Sequence, residues 1–170
     1  MDLSHTKLIP YQPSWADKFE AEKIKLKEIF SNKAIASEHI GSTSIPGLSA
    51  KPIIDIAVLI EKRDDGDNFI ETVSRLGYQY DKLNSSGERH FFRKGNPTEF
   101  HLSIAYQDKG SFWERQILFR DYLRSYPDSR GEYQSLKESL LKDNPTGKGS
   151  YLSGKSDFVS RVLALAKIEK

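Results

Sequence analysis

The chain has 170 residues, 37% hydrophobic and 29% charged, with a formal net charge of +2 and no cysteine. That length suits one compact domain over 1–170, and the missing sulfur excludes a disulfide framework, a zinc–thiolate site, an iron–sulfur cluster and a thiol nucleophile. Residues 1–110 carry 15 Lys/Arg against 16 Asp/Glu and residues 111–170 carry 11 against 8; this is too small a basic excess for strong non-specific nucleic-acid binding and suits a small phosphorylated ligand better than a polymer.

Met1 to Pro10 has no apolar core of signal-peptide length, and no apolar run reaches the length of a membrane span, so a soluble cytoplasmic protein without a membrane partner is expected. Pro13-Ser14-Trp15-Ala16-Asp17 predicts a helix start with Ser14 as N-cap and Asp17 closing a capping-box variant. Trp15, Phe19, Leu26 and Phe30 fall near one face of a helix over about 14–31. Ala34 to Ile40 reads as a short strand, Gly41 to Pro52 as a loop, and Ile53 to Ile60 as a strand covered on both faces and interrupted by one acid, Asp55.

Asp64 to Leu76 has helical period, with Gly77 at C′. Two strand-like runs, 88–94 and 98–106, flank Gly95-Asn96-Pro97 and predict an antiparallel hairpin. In its second arm Phe100, Leu102 and Ile104 alternate with Glu99, His101 and Ser103. After Gly110 the pattern is helical: 111–125 with Trp113, Ile117 and Leu118 inward, then 129–141, then about 156–167, with a loop at 144–149. The expected fold class is α+β, with a small mixed sheet in a sheet-bearing part of about 1–110 and a helical part of about 111–170.

The stretch richest in chemistry is His39-Ile40-Gly41-Ser42-Thr43-Ser44, followed by Asp55. A glycine at a strand end lets backbone approach an anion, and the following hydroxyls and amides can bond phosphate oxygens, so Gly41, Ser42, Thr43 and Ser44 are read as a phosphate cradle. It contains neither a Walker Gly-Lys-Ser/Thr nor a Gly-x-Gly-x-x-Gly. Asp55 in an apolar strand is costly unless a cation or several hydrogen bonds satisfy it. A Mg²⁺ shared with ligand phosphates would do so, and so would backbone amides at a strand end.

Lys51 after the loop can act as a point charge toward a phosphate or remain a solvated loop lysine. His39 can donate to a phosphate or serve as a hydrogen-bonded structural residue, and His101 points with Glu99 and Ser103 toward whatever cleft the sheet lines. Arg89 and His90, and Arg120 with Arg124 one turn apart, are further cations; Arg120 and Arg124 can equally pair with Asp121, Asp128 or Glu132. No His-Glu-x-x-His spacing and no nucleophile elbow is present, and the aromatic residues sit at core spacing.

From Glu38 to Ile56 the run EHIGSTSIPGLSAKPIIDI resembles the signature of the GrpB family, small bacterial proteins assigned to the nucleotidyltransferase (polymerase-β-like) fold. The resemblance extends to Pro13-Ser14-Trp15, His101-Leu102, Phe119 to Arg124, Glu132-Tyr133 with Leu136-Lys137, and Tyr151 with Lys155, and so covers nearly the whole chain. It implies a minimal mixed sheet whose Gly-Ser turn holds nucleotide phosphates while acids hold Mg²⁺. In active members of the wider superfamily the metal strand reads acid-hydrophobic-acid, with a third acid from a later strand. Here Asp55 fills the first position, Ala57 stands in the second, and Glu99 and His101 are the candidates for the third.

On this reading Asp55 and His101 are the catalytic candidates and Asp55 with Glu99 the metal ligands. Gly41, Ser42, Thr43, Ser44, Lys51, Arg120 and Lys155 are the nucleotide-binding set, Lys155 lying just before the last helix to close over a ligand. The leading expectation is a nucleoside triphosphate bound with Mg²⁺ and a nucleotidyl group passed to an acceptor hydroxyl. The alternative is a non-catalytic phospholigand- or partner-binding module that has lost the second carboxylate, a reading favoured by Ala57. A weaker third is RNA binding by the basic C-terminal half.

Overall fold

The apolar run from Ile53 to Ile60 becomes part of the parallel seam of a five-stranded sheet in the computed structural model, which describes residues 7–143 and 150–169. Strands β1 (Ala34–Ile40), β2 (Ile54–Ile60), β3 (Tyr78–Tyr80), β4 (Arg89–Lys94) and β5 (Phe100–Tyr106) lie in the order β1-β2-β5-β4-β3. β2 and β5 pair in parallel, whereas β1 with β2, β5 with β4 and β4 with β3 pair antiparallel, so the sheet is mixed.

β2 is buried along its length except at Asp55 because both of its faces are covered. Ile54, Ile56, Val58 and Ile60, beside Phe100, Leu102, Ile104 and Tyr106 of β5, pack under Trp15, Phe19, Leu26 and Phe30 of α1 (Ser14–Phe30). Each such aliphatic or aromatic side chain gains about 1.5–3 kcal/mol on leaving water. On the opposite face Ala57 and Leu59 join Ile40, Ala105 and Phe112, the first residue of α3 (Phe112–Ser125). A third cluster seats Ile45 and Leu48 of the loop after β1 against Leu123 of α3, Tyr133 of α4 (Pro127–Asp143), and Phe158 and Val162 of α5 (Ser150–Glu169). The Gly-Ser loop is therefore held between the sheet and the helices. The architecture is α+β, with the sheet ending at Tyr106 and the helical part beginning at Phe112.

The hairpin and the strands on either side of the Gly-Ser loop form as the periodicity predicts, and other details differ for identifiable reasons. Ser14 is not the N-cap of α1: Pro13 holds that position without a side-chain cap, and the amides of Trp15 and Ala16 donate instead to the carbonyls of Gln12 and Pro13 at 3.0 and 3.2 Å. The helix expected over 64–76 divides into a 3₁₀ segment, Arg63–Phe69, and a short α2, Ile70–Ser74. Gly66 in the first piece lies against the His90 ring, so closely that a Cβ there would overlap His90 Cε1. His90 in turn bonds Asp67 and Tyr106, which makes it a latch for this segment rather than a site cation.

β3, too short for alternation to reveal, follows directly on Gly77, whose φ of +97° turns the chain. In α3 Phe112, Arg120 and Leu123 are buried, while Trp113 and Ile117, expected inward, are partly buried and pack against the cluster around Ala57 and Phe112, and Leu118 is half-buried. α5 begins at Ser150, so Lys155 lies inside the helix and not before it. The loop read at 144–149 falls outside the described residues, as does the first part of the N-terminal segment.

α1 also buries a charge. Glu22 accepts from the Tyr78 hydroxyl at 2.6 Å and from Lys94 Nζ at 2.7 Å. Burial and this carboxylate push the Tyr78 pKa up, fixing the phenol as a donor.

Candidate functional site

β1 ends in Gly41, whose φ of 74° favours glycine, and the register places Ile40 opposite Asp55. A Cβ on Gly41 would stand 2.5 Å from Asp55 Oδ2, so the turn backbone and the carboxylate approach each other as closely as the missing side chain allows. Ser42–Ser44 form one 3₁₀ turn, closed by the Ser44 amide on Gly41 O at 3.1 Å and by the Ser44 hydroxyl on the same carbonyl.

Two arginines of α3 brace this turn from behind. Arg124 donates Nε and Nη2 to Ser44 O at 3.0 and 2.8 Å. Arg120, nearly buried, donates Nη1 to Glu38 at 2.7 Å and to His39 O at 3.0 Å, and Nε to Asp121 at 2.9 Å. Burial opposes the Arg120 charge, but the bonds to Glu38 and Asp121 prevail and raise its pKa. The structure thus places Arg120 in an ion-paired brace, away from both cavities at the turn.

His39 and Thr43 form the inner support. His39 stacks on Phe19 at 5.0 Å and donates Nε2–H to Thr43 Oγ1 at 2.9 Å, while Thr43 donates to Ile53 O at 3.3 Å. Burial lowers the His39 pKa to about 4, against the pull of Asp55 and with help from Arg124 and Arg120, so the ring is neutral near pH 7.

Asp55 projects from β2 beside His101, its register partner on β5. His101 Nδ1 lies 3.1 Å from Asp55 Oδ1, and Arg93 Nη1 lies 3.5 Å from His101 Nε2. Arg93 is itself held by Asp81 at 2.9 Å, which keeps the Asp81 carboxyl at about 2. Arg89 donates to Ser103 Oγ at 3.1 Å and lies over Phe91 and Phe112. Glu99 is exposed just before β5, its Cγ near Gly95, and the structure does not gather Asp55, His101 and Glu99 into a metal-holding group. Ala57 is fully buried in the apolar cluster under Phe112.

Lys137 of α4, quoted in the sequence only as part of a wider likeness, is the residue that sequence reasoning missed. Its Nζ donates to Ser42 Oγ at 3.0 Å and to Ser49 O at 2.9 Å, with Tyr133 beneath it at 5.0 Å. The signal was available: Lys137 is four residues after Tyr133, on the face of α4 that enters the core. Burial above all, with the charges of Lys155 and Lys51, lowers its pKa to about 7.

Two cavities meet at the turn. One of 220 Å³ is lined by Ser42, Thr43, Lys51, Asp55, His101, Lys137 and Lys155; the other, of 610 Å³, shares Ser42, Asp55 and Lys155 and opens toward Arg89, Phe112 and Phe119. A small chamber rich in ammonium groups beside a wider polar and aromatic cleft suits a ligand with an anionic end and a larger body. No helix among the described residues is long and apolar enough to cross a membrane.

A Gly-Ser turn leading to a strand that carries the site carboxylate, on a mixed sheet flanked by helices, defines a nucleotidyltransferase-type fold. A fold of this type recurs in Cid1, crystallised with the UTP analogue UMPNPP, at a TM-score of 0.52 and 14% identity over 79% of this chain and 43% of that one. The chain belongs to the GrpB family, whose model, described as GrpB protein, matches residues 5–165. The crystal structure of GrpB from Enterococcus faecalis superposes with a TM-score of 0.84 at 35% identity, over 94% of this chain and 96% of that one.

YqkA of Bacillus subtilis is 36% identical over 160 residues, which are 94% of this chain but 47% of YqkA, so the chain spans about half the length of that relative. Dephospho-CoA kinase of Mycobacterium tuberculosis contains a stretch 29% identical to 77% of this chain, covering 38% of the kinase.

Proposed function

We propose that the chain binds a nucleoside triphosphate at the Gly41-Ser42 turn together with one Mg²⁺, and passes its nucleotidyl group to an acceptor hydroxyl, the new O–Pα bond replacing the Pα–O–Pβ bond with release of pyrophosphate. The observation that carries this reading is the convergence of Gly41 and Asp55, with Ser42 and Lys155 common to both cavities. Gly41 and Ser42 form the phosphate cradle; Ser44, whose amide and hydroxyl both donate to Gly41 O, closes the turn and is not free to bind phosphate; Thr43 keeps the turn in shape through His39 and Ile53; Lys51 and Lys155 supply positive charge at the wall of the small chamber. Arg120 acts from behind, by fixing β1 against α3.

The carboxylate supply fits one ion and not two. Mg²⁺ is commonly bound by one or two carboxylates with phosphate oxygens and water, whereas paired ions need a bridging acid and more. Asp55 alone is the proposed protein ligand, since Glu99 is exposed before β5 and lines neither cavity. When bound, the ion would neutralise charge on the phosphates. His101 Nδ1 bonds Asp55 Oδ1 and Arg93 lies at its Nε2, so the ring orients the Asp55 carboxylate.

Support for a phospholigand also comes from dephospho-CoA kinase, in which a stretch like this chain accompanies a phosphoryl-transfer enzyme. Calorimetric titration with ATP, GTP, CTP and UTP in the presence of Mg²⁺ tests the reading. Binding of at least one at micromolar to millimolar levels is expected, and no heat from any of them at millimolar concentration overturns it. The second reading, a binding module without turnover, is favoured by the sealing of Ala57 beneath Phe112, which leaves no room for a second carboxylate at that register.

A further inference from the structure

The arginines around the site are committed to partners, with one exception. Arg93 holds Asp81, Arg115 holds Glu88, Arg120 holds Glu38 and Asp121, and Arg124 gives two donors to Ser44 O. Arg89, the first residue of β4, differs. Its Nη1 donates to one neutral hydroxyl, Ser103 Oγ, at 3.1 Å, and its Cζ lies 4.2 Å from the Phe91 ring centre and 5.1 Å from that of Phe112. Among the described residues no carboxylate pairs with it. The nearby acids are engaged elsewhere: Asp55 with His101, Asp81 with Arg93, and Glu88 with Arg115 and the Ser111 amide. Burial lowers the Arg89 pKa against the pull of Asp55 and Asp81, yet a guanidinium stays charged at neutral pH.

A guanidinium carries five N–H groups in a fixed fork, and Ser103 takes one. No side-chain nitrogen among the described residues is both sealed from solvent and unpaired, so Nε and Nη2, which donate to none of them, reach open space. The open space beside Arg89 is the 610 Å³ cleft, which it lines together with Asp55, Phe112 and Gln116. The two rings and Ser103 fix the plane of the fork, so a ligand meets donors that are already ordered.

The sheet order says which part of a ligand lies there. Asp55 of β2 stands between the Gly41 turn at the end of β1 and Arg89 on β4. On the face that carries Asp55, the register puts Asp55, His101 and Arg93 in one row, Ser103 and Phe91 in the next, and Ala105 and Arg89 in the third. A nucleotide whose phosphates sit at the turn therefore has Arg89 across the site carboxylate from them. In-line displacement puts the attacking and leaving oxygens on opposite sides of the phosphorus, so the far side belongs to the acceptor.

We propose that Arg89 anchors the acceptor, and that the acceptor carries an oxyanion, a carboxylate or a phosphate monoester, which docks on the Nε and Nη2 edge of the guanidinium while its hydroxyl turns toward Asp55. The inference rests on the nucleotide reading of the site and names the chemical class of the acceptor. It concerns binding alone; the bonds made and broken are those already given for the transfer. The planar fork matches two oxygens of a carboxylate or phosphate at once, which a lysine ammonium does not. Ser86, Gln116 and Ser160 of the same cleft offer hydroxyl and amide groups to the rest of a polar molecule.

Three probes on one carbon skeleton test it: glycerate, glycerol 3-phosphate and glycerol, titrated at tens of millimolar into the full chain, with and without α,β-imido-ATP and Mg²⁺. The readout is the ¹⁵Nε–H signal of Arg89 in the arginine NMR spectrum, assigned by its contacts to the Phe91 and Phe112 rings. At least one of the two anions is expected to shift that signal, and glycerol is not. A response to glycerate identifies a carboxylate acceptor and a response to glycerol 3-phosphate a phosphate acceptor. The nucleotide analogue is expected to leave the shift in place, since its phosphates lie at the turn. Arg89→Lys keeps the charge and loses the fork, and is expected to bind the anion about tenfold more weakly by calorimetry. If that variant does not fold, the wild-type signal decides the matter. An Arg89 signal unmoved by both anions, an equal shift with glycerol, displacement of the anion by the analogue, or undiminished binding in a folded Arg89→Lys overturns the proposal. If ATP with Mg²⁺ binds and the anions do not, the acceptor assignment falls and the nucleotide reading stands. If the anions shift Arg89 and no nucleotide binds, the nucleotide reading falls and the acceptor role falls with it.

Discussion

Gly41 and Asp55, the residues at the end of β1 and the start of β2, occupy each other's space so closely that a single methyl group on Gly41 would overlap the Asp55 carboxylate, its carbon 2.5 Å from Oδ2. Gly41→Ala therefore meets two penalties, the positive φ of 74° and the clash. The variant is expected to lose about 1–3 kcal/mol of stability through backbone strain and to displace Asp55 from His101. Urea denaturation measures the first and nucleotide titration the second. A variant as stable as the parent would show that the turn does not need glycine.

Asp55→Asn keeps the shape of the side chain and an oxygen for His101 Nδ1–H. The melting temperature is therefore expected to change little, while affinity for nucleotide with Mg²⁺ falls at least tenfold, a loss of about 1.4 kcal/mol. If wild-type turnover is found and disappears in Asp55→Asn, the transfer reading gains its catalytic carboxylate. If neither protein turns over but nucleotide still binds the wild type, the module reading holds.

Much of this arrangement was legible in the residues because it rests on local rules. The near-continuous apolar run from Ile53 to Ile60 predicts a strand covered on both faces, and Gly41 at a strand end predicts close backbone approach; both follow from local steric and hydrophobic rules. Lys137 escaped because its meaning comes from a contact 95 positions away in sequence, to Ser42, which no local pattern encodes. The sequence leaves Arg120 between a ligand cation and a partner of Asp121, because it cannot tell a brace from a binding group when both are an arginine one turn from another. Glu22 was invisible for the opposite reason: a glutamate between lysines looks solvated until β3 and β4 bring Tyr78 and Lys94 to it.

The Glu22 cluster carries stability rather than function. Glu22→Ala leaves the Lys94 ammonium without its carboxylate and the Tyr78 hydroxyl without its acceptor. A loss of about 3–5 kcal/mol is expected for breaking a buried pair by removing one partner. The double change Glu22→Leu with Lys94→Met should recover most of it, since apolar replacement of both partners is often neutral. Chemical denaturation of the three proteins checks this, and a double variant no more stable than Glu22→Ala would contradict it.

His39 makes the fold sensitive to acid. Its pKa is about 4 in the folded chain against 6.5 as the ordinary value, so between those values the unfolded chain binds a proton that the folded one refuses. The folded state is thus favoured above pH 6.5 and loses that advantage as pH falls toward 4, by up to a few kcal/mol for this shift. Substituting His39→Gln, which retains a donor toward Thr43, is expected to flatten the stability profile over this window. Denaturation midpoints at pH 4.5, 5.5 and 7 measure it; an unchanged slope would assign the acid sensitivity to other groups.

Ala57→Asp would restore the acid-hydrophobic-acid order along β2, and the register alone invites it, since Ala57 lies two residues beyond Asp55 and pairs with Ser103. The packing argues the other way. Ala57 has no exposed surface and touches Ile40, Leu59, Ala105 and Phe112, so a carboxylate there would enter an apolar cluster rather than the cavity. An unpaired charge in such a place is expected to protonate or to force α3 away from the sheet, at a cost of several kcal/mol. Ala57→Asp should therefore melt well below the parent and gain no Mg²⁺-dependent transfer. The pair Ala57→Asp with Phe112→Ala, which opens the cluster, separates the two effects: recovery of a second-ion dependence in the pair would mean that α3, and not the lost acid alone, is what limits the site to one metal.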